Sequence, residues 1–305
     1  MYKQYLFLVF LCIFFGLLVS GWGYHNRKLT LQKNASVINQ NMLFIDNKPH
    51  PQLIELFHLL LPDEITQLRK NQHSITIEEL HLLAKKYWYT NHQKKIHSYE
   101  KNNEKVTLAF SLLQQLGFLE EISPKKRIYD YVFLFGTSIK KMQLQLNYVF
   151  DLWQNGMHFN NIIFLTSERS ISHKTYAKLL TDKIDSPMLP YNGINILKKM
   201  LSSTQFSNGF NDIKTTYVVA QQPSLTQLTS LWLKQSPRPG TILALTHQPY
   251  SFYQHMILSS LIPQEFMLET AALKSHTKIP LTIYLHTIAQ ILARKYRKTN
   301  FKKNC

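Results

Sequence analysis

Residues 124 to 305 predict an α/β domain on a mainly parallel sheet, preceded by an apolar segment over 1–24, a polar linker over 25–50 and a helical region over 51–123. Three observations predict this. Short apolar runs alternate with segments of helical period, the mark of βαβ units. These runs are continuously apolar instead of alternating, as in strands covered on both faces. The texture also changes at Pro124, where helical stripes give way to β-rich runs.

The elements follow in order. Lys3 precedes the uncharged run from Tyr5 to Val19, and small residues and then Arg27 and Lys28 come after it. A positive start, an apolar centre and small residues beyond it describe a secretory signal. Extended through Tyr24 the run is also long enough to span a bilayer. A cleaved signal and a retained anchor both stay open, and either places the rest of the chain outside the cytoplasm, in the periplasm or anchored in the inner membrane facing it. Leu53, Ile54, Leu56, Phe57, Leu60 and Leu61 form a helical stripe. Thr76 and Glu79 make a capping box ahead of Leu80. Val106, Leu108, Ala109, Leu112, Leu113 and Leu116 form another stripe, stopped near Gly117. This region reads as a lid or an N-terminal subdomain.

Strands are expected at Tyr131–Phe135, Ile162–Leu165, Tyr217–Ala220, Thr241–Leu245 and Phe266–Thr270. Helices are expected between them, carrying Met142 to Trp153, Leu225 to Lys234 and Phe252 to Leu261. An amphipathic helix from Ile283 to Tyr296 closes the chain. The stretch 171–214 holds one or two helices and a polar loop over 202–211.

In open α/β sheets ligands bind beyond the carboxyl ends of the strands. Three polar loops hold that position. Gly136, Thr137 and Ser138 open a helix whose free amides suit an anion; the same residues also make an ordinary strand-to-helix turn with Ser138 as cap. Thr166, Ser167, Glu168 and Arg169 follow the second strand. Arg169 can fork onto a carboxylate or phosphate, and Glu168 is a candidate base or the partner of a surface cation. Thr246, His247, Gln248, Pro249 and Tyr250 follow the fourth. There His247 is either a proton-transfer group or a hydrogen-bonded structural histidine. The catalytic candidates are Glu168 and His247; Pro249 stiffens its loop, and the others are candidates for ligand binding.

The formal net charge of +17 favours anionic partners. Much of it lies in Arg294, Lys295, Arg297, Lys298, Lys302 and Lys303, read as a solvated tail or a contact for a membrane surface or polyanion. No aromatic stacking motif or recognition helix supports nucleic-acid binding. Cys12 and Cys305 allow no disulfide framework or CxxC metal motif, and the 13 histidines show no metal spacing. HExxH, the P-loop, GxGxxG and GxSxG are absent, so no metal or cofactor is expected.

At Tyr131–Thr137, Trp153–Gly156, Ile162–Ser167 and Leu243–Tyr250 the chain resembles the YdcF/SanA/ElyC-like (DUF218) superfamily of bacterial envelope proteins. The shared pattern is a strand and glycine turn, a helix stopped by glycine, a second strand with a small polar loop, and a late strand whose loop carries His. Where that superfamily has Ser-Gly-Gly after the second strand, this chain has Thr-Ser-Glu-Arg. The resemblance implies a Rossmann-like three-layer sandwich and an envelope role. The leading expectation is a site for an anionic small molecule or envelope precursor, phosphorylated ones included, with turnover left open. The alternative is a non-catalytic scaffold using the basic surface to meet lipid or a partner protein.

Overall fold

The computed structural model describes residues 43–70, 74–89, 103–136, 139–167, 193–201, 210–221, 223–275 and 279–303. The apolar segment 1–24 lies outside these residues. Among the described residues no helix is long and apolar enough to cross a membrane.

The stretch expected as linker ends earlier than 50. Strands β1 (Phe44–Ile45) and β2 (Lys48–Pro49) form a hairpin, and Leu43 and Phe44 are buried. Asp46 and Asn47 turn it with φ of 49° and 62°. Two consecutive positive φ values match the right-handed twist of paired strands, and Asp and Asn tolerate them better than most residues.

Four helices follow: α1 (Pro51–Leu60), α2 (Pro62–Lys70), α3 (Ile77–Tyr87) and α4 (Asn103–Gln115). The stripe that begins at Leu53 breaks at Leu61, because Pro62 lacks the N–H that would continue α1. Thr76 and Glu79 make the reciprocal capping box at the start of α3. Helix α4 stops at Gly117, with φ of 74°. There Phe118 N–H donates to Leu113 O and Gly117 N–H to Gln114 O. This pairing satisfies the last carbonyls and demands a left-handed residue, which glycine adopts without penalty.

The sheet comprises β3 (Ile128–Phe135), β4 (His158–Ser167), β5 (Lys214–Ala220), β6 (Thr241–His247) and β7 (Met267–Leu273). All pairings between these strands are parallel, in the order β5-β4-β3-β6-β7. Ile122 adds an antiparallel bridge to Ala272 at the β7 edge. Helices α5 (Ile139–Gln154) and α6 (Gly193–Leu201) connect β3, β4 and β5; α7 (Leu225–Leu233) and α8 (Ser251–Leu258) connect β5, β6 and β7. Gly156, at φ 85°, stops α5 with the same pair of hydrogen bonds that stops α4.

The two groups of helices cover opposite faces. Val132, Leu134, Ile162, Phe164, Leu243 and Leu245 pack with Met142, Leu146 and Val149 of α5. The alternate residues Phe133, Ile163, Ile242 and Ala244 pack with Trp232 of α7 and Leu258 of α8. Successive side chains of a strand point to opposite faces, so continuous apolarity is required here. The result is a helix–sheet–helix architecture consistent with a Rossmann-like fold.

A third core joins the helical region to the end of the chain. Helix α9 (Leu281–Lys303) buries Leu285, Ile288, Ala289 and Leu292 against residues of α1 to α4. Trp88 lies against Phe57 at a ring-centroid distance of 4.1 Å. The helical region is therefore packed onto α9 as a wall, and its core crosses the boundary that the sequence placed at 123/124.

Candidate functional site

The chain runs outward from β3 through β4 to β5, then returns to the other side of β3 for β6 and β7. Strand order thus reverses between β3 and β6. At such a switch point neighbouring loops leave in opposite directions and open a crevice at the carboxyl edge. Gly136 and His247 end these two strands. The β3–β6 register, with Leu134 opposite Leu245, sets Gly136 level with His247.

Gly136 is there because of crowding. Its N–H donates to Leu165 O at 2.7 Å, and a Cβ at this position would lie 2.1 Å from Thr166 Oγ1. The Gly136 backbone therefore lies directly against the end of β4. Thr166 is buried in this contact. Thr246 is fully buried and donates to Ala271 O at 3.1 Å. Both threonines were candidates for ligand binding; their side chains are occupied inside the fold. Ser167 is half-buried at the end of β4, beside Ala220.

Gln248 is likewise committed to the scaffold. It is buried, its Nε2 donates to Gly117 O and Glu120 O at 2.9 and 3.1 Å, and its Oε1 accepts from Ser251 Oγ at 2.8 Å. Instead of facing a ligand, this amide braces the loop after β6 against the end of α4. The loop begins with a cis bond between Gln248 and Pro249.

His247 differs. Odd positions of β6 face α5, so one residue beyond Thr246 the side chain turns toward the first turn of that helix. Its Nε2 is buried without a hydrogen-bond partner. Burial lowers its pKa to about 4, with the Lys141 cation adding to the shift and the Lys141 backbone partly offsetting it. The Lys141 ammonium stands 5.6 Å from the centre of the Tyr250 ring. Burial also raises the Tyr250 pKa, keeping the hydroxyl protonated near neutrality. One helical turn deeper, Gln145 is buried, donates to Leu245 O at 3.2 Å, and has an Oε1 without a partner.

Lys141, His247 and Tyr250 thus meet where strand order reverses. Their chemistry is one-sided: a cation, a neutral imidazole and a phenol. Such a set can hold an anion through charge and donated hydrogen bonds. Thr137, Ser138, Glu168 and Arg169 lie outside the described residues. Among the described residues, no group of three or more His, Cys, Asp or Glu side chains could hold a metal ion.

The sequence reading overlooked Lys141 and Gln145. Gln145 carried a signal, since a polar residue sits on the apolar face that holds Met142, Leu146 and Val149. Lys141 carried none beyond its place in the first turn. Compared with known proteins, the chain matches no family model, no curated protein and no solved structure.

Proposed function

We propose that this protein binds a small anionic ligand, of the phosphate-bearing kind, in the crevice between the β3–α5 turn and the β6–α8 loop. The convergence of Lys141, His247 and Tyr250 at the point of strand reversal carries this reading. Lys141 supplies charge, the Tyr250 hydroxyl donates, and His247 Nε2 offers the unused position. A neutral imidazole next to an arriving anion is favoured to take up a proton, which would strengthen the contact. Helix α5 opens toward the same crevice, and its N-terminal amides favour negative charge.

The rest of the reading concerns place. The charge pattern around Tyr5–Val19 supports export and membrane association through the N-terminal segment. The glycine turn after the first strand of a parallel sheet supports kinship with the YdcF/SanA/ElyC-like superfamily, and with it a role in the bacterial envelope. Binding alone accounts for the residues at the rim; a reaction is not required by them.

Calorimetric titration of the full-length protein with inorganic pyrophosphate and a panel of phosphate monoesters tests the proposal. Saturable binding by at least one of these, lost in Lys141→Met and in Arg169→Ala, is expected. Affinity that survives both substitutions, or no saturable binding across the panel, discards it.

A further inference from the structure

A second cleft is lined by residues of α8 and α9. It has a volume of about 360 Å³ and separates α8 from the last turns of α9. Small-molecule pockets begin at about this size. Its floor is apolar, from Phe252 and Met256. Its rim carries Arg294, Arg297 and Lys298, which share one helical face because they stand three and four residues apart. Like charges at that spacing repel weakly, so the arrangement gains when something negative sits among them. No acidic side chain lines the cleft among the described residues.

A solvated basic tail would explain the three cations alone. Two further observations do not fit that explanation. Arg294 is drawn across the cleft, donating from Nη2 to Ser260 Oγ at 2.6 Å, while Ser260 itself donates to Ile257 O. His255, only 2% exposed, also lines the cleft. Its Nδ1 contacts Thr270 Oγ1 at 3.1 Å, and its Nε2 is buried without a partner. When the Thr270 hydroxyl donates to Nδ1, the ring proton moves to Nε2 and becomes a donor for a ligand oxygen. A buried polar atom left unmatched is costly, and this one belongs to a residue of the cleft wall, where a ligand could match it.

We propose that this cleft is a second ligand site, distinct from the switch-point crevice, for a phosphate monoester bearing an apolar chain. Arg294, Arg297 and Lys298 take the phosphate, His255 Nε2 donates to one of its oxygens, and the chain lies on Phe252 and Met256. The same chemistry occurs in a free amphiphile and in a phosphatidate headgroup within a bilayer.

The test uses the full-length protein and monomeric dihexanoyl phosphatidic acid, with dihexanoyl phosphatidylcholine as the comparison. Saturable binding of the phosphatidic acid is expected, with a shift of the His255 Nε2 resonance in nitrogen NMR. The Arg297→Gln/Lys298→Gln pair should weaken it at least tenfold, and Lys141→Met should leave it unchanged. Vesicles of phosphatidylcholine with and without long-chain phosphatidic acid form the second arm. Binding of both monomer and vesicle with the His255 shift supports a headgroup source; binding of the monomer alone supports a free amphiphile. Three outcomes overturn the proposal: vesicle binding without the His255 shift, which marks a charged face only; equal binding of the phosphatidylcholine; and unchanged affinity in the Arg297/Lys298 variant.

Discussion

At the amino edge of the sheet, Asp130 accepts from Asn160 Nδ2 at 3.0 Å and from Thr241 N–H at 2.7 Å. Glu269 there accepts from Lys125 N–H at 2.5 Å and from the Tyr129 hydroxyl at 2.8 Å. At the carboxyl edge, a few residues along the same strands, His247 Nε2 and Gln145 Oε1 have no partner. At the amino edge these acidic groups tie strand ends together, whereas at the carboxyl edge these two polar atoms are left unmatched. If the unmatched atoms serve the proposed ligand, substitutions at Asp130 and at His247 should separate stability from binding.

The largest expected effect tests whether the carboxyl edge is crowded as well as unmatched. Gly136→Ala places a methyl group inside Thr166, and overpacking of that severity costs about 3 kcal/mol. A fall in the denaturation midpoint at unchanged slope would show it. Acid should act next. His247 and His255 have pKa values lowered to about 4 in the folded protein, both mainly by burial, against an ordinary value near 6.5. Below pH 6.5 the unfolded chain takes protons that the folded chain refuses, so stability falls as pH drops from 6.5 to 4 and levels off below that. Urea titrations across this range should show the slope, and it should be shallower in His255→Gln.

Asp130→Ala should follow, at about 1.5 kcal/mol, because it leaves the half-buried Thr241 N–H without its acceptor, while the exposed Asn160 amide turns to water. Binding of pyrophosphate should be untouched in the fraction that remains folded. The smallest stability effects belong to Lys141→Met and His247→Gln, each within about 1 kcal/mol. Their effect is on the ligand: losing a charged hydrogen bond of about 1.5 to 3 kcal/mol weakens affinity roughly tenfold or more. If instead either of these unfolds the protein as readily as Asp130→Ala does, the contrast between the edges fails. Because an anion raises the pKa of His247, wild-type binding should tighten as pH falls below neutrality, and His247→Gln should lose that dependence.

Local signals made much of this architecture legible. The capping box at Thr76, the glycine stops at Gly117 and Gly156, and the apolar runs of all five sheet strands act through neighbours in sequence, and each stands near its expected place. The hairpin at residues 44–49 was hidden because two-residue strands have no periodicity to read, although Asp46-Asn47 is a turn signal. The break between α1 and α2 was also present in Pro62, masked by a stripe that continues across it.

The site was legible only in part. Strand ends were located well enough to bring Gly136, Ser167 and His247 to one edge. Which side chains face outward depends on parity within each strand. Thr246 and His247 differ by a single position, yet one is sealed against Ala271 and the other meets Lys141. Gln248 looked like a ligand group because its partners, Gly117 and Glu120, are more than a hundred residues away.

The sequence alone determined the alternation of strands and helices, their caps and stops, the double-sided burial of the sheet and the basic end of the chain. These follow from propensity and hydrophobic period, which act over a few residues. Only the tertiary structure decided the strand order, and with it the switch point between β3 and β6. It alone joined α9 to the helices α1 to α4, and brought His255 to the same cleft as Arg294, Arg297 and Lys298. Those pairings rest on burial of surfaces distant in sequence, and no local pattern specifies which surface meets which.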